Sequence, residues 1–182
     1  HHASAIEKYD RYDSDAATVL SNGIVAAAFP PLEDVVGVEL DRERHKVVYS
    51  SSPDRGLKEL LKVWPTVRAA VPDATLDIYY DWALLKQREP DTYRDLMDAL
   101  AFVQGNGVVY HGGVAQPDLH EAFRRSSVWA YPHFDSAIET SCISAMKVLA
   151  SGCVPVTGHT GALPETIGDF GVYATPETFA SV

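Results

Sequence analysis

An acidic and a basic residue stand eight positions apart in the segment ETSCISAMKVLASG, which begins at Glu139. The segment is typical of a loop that runs into a helix, and Lys147 lies in the body of that helix. Thr140, Ser141 and Cys142 would stand at the helix start, where backbone N–H groups without intrahelical partners point outward. Glu139 and Lys147 could line one side of an elongated ligand, although a solvated amphipathic helix is the alternative. No neighbouring base would activate the Cys142 thiol, so a small packing residue is the favoured interpretation there.

A phosphate-binding loop is predicted where the segment SSSPDRGLKELL joins a strand to a helix. Ser51, Ser52, Arg55 and Gly56 come just before that helix. Their hydroxyls, backbone amides and guanidinium group would converge on an anion such as phosphate. The alternative is a surface helix capped by Asp54.

Two further segments could border the same ligand. The segment VVYHGGV ends a predicted strand in two glycines, and Gly112 permits close approach of a ligand to the backbone. His111 could touch that ligand; the alternatives are a tight turn and a histidine with a structural role. Glu165, in GALPETIG, lies beyond a later strand and is either near the same cleft or an ordinary surface charge.

Length and composition describe one globular domain: 182 residues, of which 46% are hydrophobic and 10% aromatic. The net charge of -10 argues against nonspecific binding of nucleic acid, because such binding needs a basic face. The two cysteines provide neither a disulfide framework nor a metal-binding spacing, so no metal site and a reducing, cytoplasmic compartment are predicted. No apolar run approaches the roughly 20 residues of a transmembrane helix.

Predicted strands and helices alternate along most of the chain. The predicted strands are KVVYS, ATLDIYY, GVVYHGG with its glycine turn, VWAYP, CVPVT and FGVYA. The predicted helices are RGLKELLKVWPTVRAAV, in which Pro65 should cause a kink or mark a junction, and DTYRDLMDALAFV, QPDLHEAFRRS, TSCISAMKVLAS and ALPETIG. This alternation is typical of an α/β, Rossmann-like, doubly wound parallel sheet, whose sites form at the carboxyl ends of strands. Upstream, residues 3–10 could form a helix and ATVL a strand, and a linker extends to about residue 45.

Taken in order, these segments resemble the nucleotide-sugar domain of the retaining GT-B glycosyltransferases, a group that includes sucrose synthase. The segments that carry the resemblance, from about residue 18 onward, are SNGI, SSPDRGLKELL, YHGGVAQPDLHEAF, VWAYP, ETSCISAMKVLASGCVPV and GALPETIG. The most specific part is the E-x7-E motif of the family 4-like type, whose first glutamate falls on Glu139 while ASGCVPV anchors the register. The second glutamate falls on Lys147, which departs from the family pattern.

The resemblance implies how a donor sugar and its ribose would be held. Glu139 would contact the hydroxyls of the sugar. Lys147, unlike a glutamate, cannot accept hydrogen bonds from the ribose diol when charged, so it could donate to a ribose oxygen or turn toward the phosphates. The backbone amides expected near the sugar and the diphosphate are those of Thr140, Ser141, Cys142 and Ile143.

The resemblance also implies a weakened diphosphate site. Arg55 matches the basic residue that binds the diphosphate just before a glycine, here Gly56. The family's partner arginine, six residues earlier, falls on Tyr49 and is missing. The serines at 50–52 could partly substitute for it by hydrogen bonding.

The resemblance implies a domain organisation and an activity. Residues 1–24 would be the remnant of an acceptor domain and linker, and residues 25–182 a donor-binding domain that is incomplete at its C-terminus, so the chain alone would be inactive. The activity would be retaining, metal-independent transfer of a sugar from a UDP-, GDP- or ADP-linked donor, without a cofactor, in the C-terminal half of a GT-B fold. The alternatives are a catalytically degraded sugar-nucleotide binding module and another GT-B enzyme, such as a nucleotide-sugar epimerase.

Overall fold

Six parallel strands form one sheet in the computed structural model, which describes residues 20–29, 42–134 and 139–181. The strands are β1 (Glu43–Tyr49), β2 (Thr75–Tyr79), β3 (Val108–Gly112), β4 (Ser126–Tyr131), β5 (Val154–Gly158) and β6 (Val172–Ala174). Their order across the sheet is β3-β2-β1-β4-β5-β6, and all neighbouring pairs are parallel. The chain order reverses between β1 and β4, where open α/β sheets bind ligands beyond the carboxyl ends of their strands. The predicted doubly wound parallel sheet is confirmed.

Helices cover both faces of this sheet, as right-handed crossovers on either side of the reversal require. The helices are α1 (Leu57–Ala70), α2 (Ala83–Arg88), α3 (Pro90–Val103), α4 (Gln116–Arg125), α5 (Ile143–Ala150) and α6 (Leu163–Ile167). Helix α1 packs against α3, and α4 packs against α5. Short 3-10 helices lie at Ala26–Ala28 and Phe179–Ser181. Among the described residues, no helix is long and apolar enough to cross a lipid bilayer.

Helix α1 shows how the core is built from the sequence pattern. Leu57, Leu60, Leu61 and Trp64 recur at helical spacing, and all four are buried. Burial of each such side chain contributes roughly 1.5–3 kcal/mol to stability. The helix runs without interruption through Pro65, so this proline does not mark a junction.

The structure corrects the predicted boundaries of several elements. Strand β1 begins at Glu43, earlier than the predicted start at Lys46, and the short helix α2 was not predicted. Helix α5 begins at Ile143 rather than at Thr140. The tertiary reason is that the amide of Ala162 donates to the carbonyl oxygen of Glu139 at 2.7 Å, which holds the preceding segment outside the helix. The predicted helix at 3–10 and nearly all of the predicted strand ATVL lie outside the described residues.

Candidate functional site

The carboxyl ends of the neighbouring strands β1 and β4 bring an arginine and a glutamate together. Arg55, between β1 and α1, places Nη1 4.0 Å from Oε2 of Glu139, which precedes α5. The same guanidinium nitrogen lies 3.4 Å from Nε2 of His133, two residues after β4. Tyr131, the last residue of β4, donates its hydroxyl hydrogen to Glu139 Oε2 at 3.0 Å. These four residues are called the Arg55–Glu139 cluster below.

The cluster is a partly enclosed polar site. The Glu139 side chain is 15% exposed and that of Arg55 33%, so both charges can meet a ligand from solvent. Burial, and then the negative charge of Glu139, raises the pKa of Tyr131 well above its usual range. Its hydroxyl therefore remains a neutral donor to the carboxylate, and Ser51 hydrogen bonds to the same hydroxyl.

Three glycines pack closely against the backbone of the residues in and beside the cluster. A Cβ atom at Gly56 would lie 2.2 Å from the carbonyl oxygen of Pro132, and one at Gly158 would lie 2.3 Å from that of His133. At Gly161, a Cβ atom would lie 2.4 Å from the carbonyl oxygen of Glu139. No other residue type could approach the backbone so closely, so these glycines fix the position of His133 and Glu139.

The helix starts on either side of the cluster carry no side-chain caps. Helix α1 follows Gly56, whose φ is 93°, without a side-chain cap, and α5 follows Cys142 in the same way. The first backbone amides of such helices lack intrahelical partners and can bind an anion. The amide of Leu57, however, already donates to the carbonyl oxygen of Pro53 at 3.2 Å, and those of Ser144 and Ala145 hydrogen bond to the Cys142 sulfur. Since α5 begins at Ile143, its first amides belong to Ile143 and the next residues, not to Thr140 and Ser141 as expected from the sequence.

Cys142 is a buried residue at the start of α5. Burial raises the pKa of its thiol to about 11, although the amides of Ala145 and Ser144 partly oppose this shift. The thiol is therefore un-ionised near neutral pH, the opposite of what a cysteine nucleophile requires.

Lys147 faces helix α4 and hydrogen bonds to the side-chain oxygen of Gln116. Both residues line a cleft of about 540 Å³ between α4, α5 and the segment 25–29. His120 lines the same cleft and packs against Phe29, with ring centroids 4.8 Å apart and ring planes tilted by 38°. Burial, and then the positive charge of Lys147, lowers the pKa of His120. Lys147 thus adds positive charge to a cleft beside α4.

His111 and Gly112 lie at the end of β3, two strands away from β1. The His111 ring is stacked on Tyr79 at 4.5 Å, and its Nε2 lies 3.1 Å from Oδ1 of Asp77. Gly112 has a φ of 74°, which turns the chain toward α4 through Gly113. His111 therefore already has partners within the sheet, and contact with a ligand remains a prediction.

Tyr49 does not replace the missing arginine. It is fully buried, and its hydroxyl donates to the carbonyl oxygen of Ser52 at 2.7 Å. Burial raises its pKa well above the usual range, so it stays neutral. Its contact with Ser52 instead shapes the turn that precedes Arg55.

Sequence reasoning did not predict Tyr131 or His133 as site residues. Both belong to the segment VWAYPHF, which was interpreted only as a strand and the start of a loop. The one available signal was the pair of polar rings around Pro132, at the carboxyl end of a strand, where sites form in such sheets.

A sequence profile described as glycosyl transferases group 1 matches residues 44–181. The chain therefore belongs to this family of glycosyltransferases. No curated protein matches the chain in sequence.

Solved structures share the fold at low sequence identity. HepE from Anabaena, in complex with UDP-glucose, aligns with a TM-score of 0.70 and 18% identity over 96% of this chain and 47% of its own length. A UDP-forming trehalose-phosphate synthase from Burkholderia xenovorans aligns with a TM-score of 0.63 and 14% identity over 83% of this chain and 37% of the synthase. The chain thus spans less than half the length of these proteins. The likeness confirms the predicted GT-B fold class.

Proposed function

We propose that this chain is the donor-binding domain of a retaining, metal-independent glycosyltransferase, which transfers a sugar from a nucleotide-diphosphate sugar to an acceptor. The observation that carries the proposal is the juxtaposition of Arg55 and Glu139, 4.0 Å apart at the sheet reversal. HepE and a trehalose-6-phosphate protein from E. coli have been solved with UDP-glucose and UDP-2-fluoro glucose, which supports a UDP-linked donor.

The diphosphate would lie against the start of α1. Arg55 would bind the phosphate oxygens, with the hydroxyls of Ser51 and Ser52 and the backbone at Gly56 as further donors. Departure of the nucleoside diphosphate leaves negative charge at this position. A fixed guanidinium group and oriented amides stabilise that charge in the transition state, and such preorganised electrostatics is commonly the largest catalytic contribution. The donor phosphate itself would assist deprotonation of the acceptor.

The sugar would lie against the carboxylate of Glu139. An ionised carboxylate offers about four lone-pair positions, and Tyr131 uses one of them, so capacity remains to accept hydrogen bonds from sugar hydroxyls. The segment Thr140, Ser141 and Cys142, with the backbone amides at the start of α5, would border the sugar and the diphosphate. Lys147 would donate to the ribose, and His111 and Gly112 would border the nucleoside.

Calorimetric titration of the 182-residue chain with UDP, GDP and ADP tests the proposal. We expect one nucleotide to bind, and Arg55→Gln to weaken that binding at least about tenfold, because a charge-assisted contact is lost. Arg94→Gln is the matched control, since Arg94 is exposed on α3 and pairs only with Asp91 among the described residues. If none of the three nucleotides binds at millimolar concentration, the proposal is wrong.

A second candidate is a sugar-nucleotide binding module that has lost catalysis. Two observations favour it: Lys147 stands where the resemblance expects a glutamate, and Tyr49 is buried where it expects an arginine. An epimerase is disfavoured by the match to the glycosyltransferase family. The substitution Lys147→Glu separates the first two candidates, because it should weaken nucleotide binding at an adapted site and strengthen it in a degraded module. For the whole protein we further propose a cytoplasmic location and a separate acceptor domain upstream of about residue 24.

A further inference from the structure

The two edges of the sheet differ in how well they are protected against pairing with another strand. Strand β6 has 3 residues and is flanked in the sequence by Asp169 and Glu177, and short strands and nearby charges are common ways to block an edge. Strand β3 has 5 residues, and no Asp, Glu, Lys or Arg occurs between Asp98 and Asp118. Because charged residues make up 22% of the chain, this uncharged stretch leaves the β3 edge without the protection that β6 has.

The backbone of Tyr110 faces outward from the β3 edge. The carbonyl oxygen of Gly107 accepts from the amide of Leu76 in β2 at 2.8 Å. Successive residues of a strand direct their N–H and C=O groups to opposite sides, so those of Tyr110, three positions further on, face away from β2. Val108 also faces outward, but it already forms a bridge with Gln104. Within the described part of the chain, the N–H and C=O groups of Tyr110 are therefore left without a strand partner.

The side chains at this edge are apolar and firmly held. The hydroxyl of Tyr110 donates to the carbonyl oxygen of Tyr80 at 2.9 Å, and its ring is stacked on Trp82 with centroids 3.9 Å apart. Tyr110 is nevertheless 36% exposed, and Val109 is 48% exposed. An apolar cleft of about 360 Å³ lies beside them, between β3 and α3. An edge that is already ordered loses little conformational entropy when it pairs.

From this geometry we propose that the β3 edge pairs with the β3 edge of a second copy of the chain, antiparallel and about a two-fold axis at Tyr110. A two-fold interface brings the same surface of both copies together, and Tyr110 is the middle residue of β3. The two Tyr110 residues would exchange both N–H···O=C bonds, as a hydrogen-bonded pair of an antiparallel ladder does. Val109 would lie opposite His111 of the second copy. One sheet would then run through both copies.

The charge of the chain favours a second copy as the partner at this edge. Each copy carries a net charge of -10, so two copies repel each other wherever their acidic surfaces meet. The uncharged stretch between Asp98 and Asp118 is where two identical surfaces approach with little repulsion. A single pair of short strands buries a small area, so the dimer should be weak and reversible. Nucleotide binding is not required for it.

Sedimentation equilibrium of the 182-residue chain without nucleotide tests the pairing. We expect a monomer–dimer equilibrium at concentrations up to about 1 mM, and added salt should strengthen the dimer because it screens the repulsion between acidic copies. Val109→Lys should weaken dimerisation at least about tenfold, since an edge lysine opposes strand pairing and adds like charges to a small interface. Val172→Lys is the matched control, because Val172 is 38% exposed on the other edge strand, β6, and this variant should dimerise at least as well as the wild type.

Amide hydrogen exchange in the wild-type chain makes the test independent of how the variants fold. The amide of Tyr110 should exchange several-fold more slowly at a concentration where the dimer dominates than in dilute solution, whereas the amides of the central strand β1 should be equally protected in both. A monomeric chain at all concentrations, equal effects of the two lysine variants, or exchange at Tyr110 that does not depend on concentration would overturn this inference. Each of these results would leave the proposed function intact.

Discussion

The two charged residues of the segment 139–152 are held in different ways. Glu139 is fixed by Tyr131 and Arg55 through its side chain and by Gly161 through its backbone. Lys147, on α5 beside an open cleft, makes one side-chain hydrogen bond within the part of the chain that the structure describes, to Gln116. The difference teaches that tertiary contacts fix where the Glu139 carboxylate lies. The residue type at position 147, in contrast, can change without disturbing the core.

The largest effect is expected from a substitution that disrupts the packing around Glu139. Gly161→Ala places a Cβ atom 2.4 Å from the Glu139 carbonyl oxygen, at a φ of +54°. We expect a loss of at least about 3 kcal/mol in the free energy of unfolding, from backbone strain and overpacking together. Urea denaturation measures it. Gly168→Ala is the matched control, because φ is +56° and no atom lies within 4 Å; it should cost only backbone strain, about 1–3 kcal/mol, and less than Gly161→Ala. Equal losses would show that the close packing on Glu139 is unimportant.

The next effect concerns the carboxylate itself. Glu139→Gln should weaken binding of a nucleotide sugar about tenfold or more, since hydrogen bonds to a charged group are lost, while the affinity for the nucleotide without its sugar should not fall. Calorimetry with UDP-glucose, GDP-mannose and ADP-glucose, each compared with its nucleotide, measures the difference. Glu89→Gln, at an exposed position between α2 and α3, is the control. A loss that is the same with and without the sugar would place Glu139 away from the sugar.

A smaller effect on nucleotide affinity is expected from substitution of Lys147, beside the open cleft. Lys147→Glu should weaken nucleotide affinity roughly three- to tenfold if the lysine is an adapted donor residue, because a cation is replaced by an anion. A large gain in affinity would instead favour the catalytically degraded module. Lys62→Glu, exposed on α1, controls for the change in net charge.

The smallest functional effect is expected at Cys142. Its pKa of about 11 keeps the thiol protonated at neutral pH, so it contributes no charge to ligand binding between pH 6 and 9. Cys142→Ala should leave nucleotide affinity within about twofold across this range, as measured by calorimetry at several pH values. A pH-dependent loss of affinity in the variant would show that the thiol takes part after all.

The sheet and most of its helices were predictable because their signals are local. Alternating and helical apolar spacing, as in Leu57, Leu60 and Leu61, follows from which face of each element is buried. The start of α5 was not predictable, because the hydrogen bond that displaces it joins Glu139 to Ala162, which lies beyond the next strand. Local preference could not indicate that contact.

The site was predictable in part for the same reason. Arg55 and Glu139 were recognised from their segments, but each segment alone left a surface charge as the alternative. Tyr131 and His133 were missed, because their role depends on β1 and β4 being neighbours in the sheet. The constraint on Gly161 depends on an approach of backbone to backbone that no sequence pattern records.

The starts of α1 and α5, which lack side-chain caps, connect the stability of the domain with binding of the proposed ligand. A side-chain N-cap contributes about 1 kcal/mol to a helix, and neither helix has one. The anion of the proposed ligand, bound at the start of α1, would supply an acceptor that this helix lacks, so the ligand would stabilise the folded domain. The melting temperature of the domain should then rise with ligand concentration, by mass action. Thermal unfolding would therefore report ligand binding at this site.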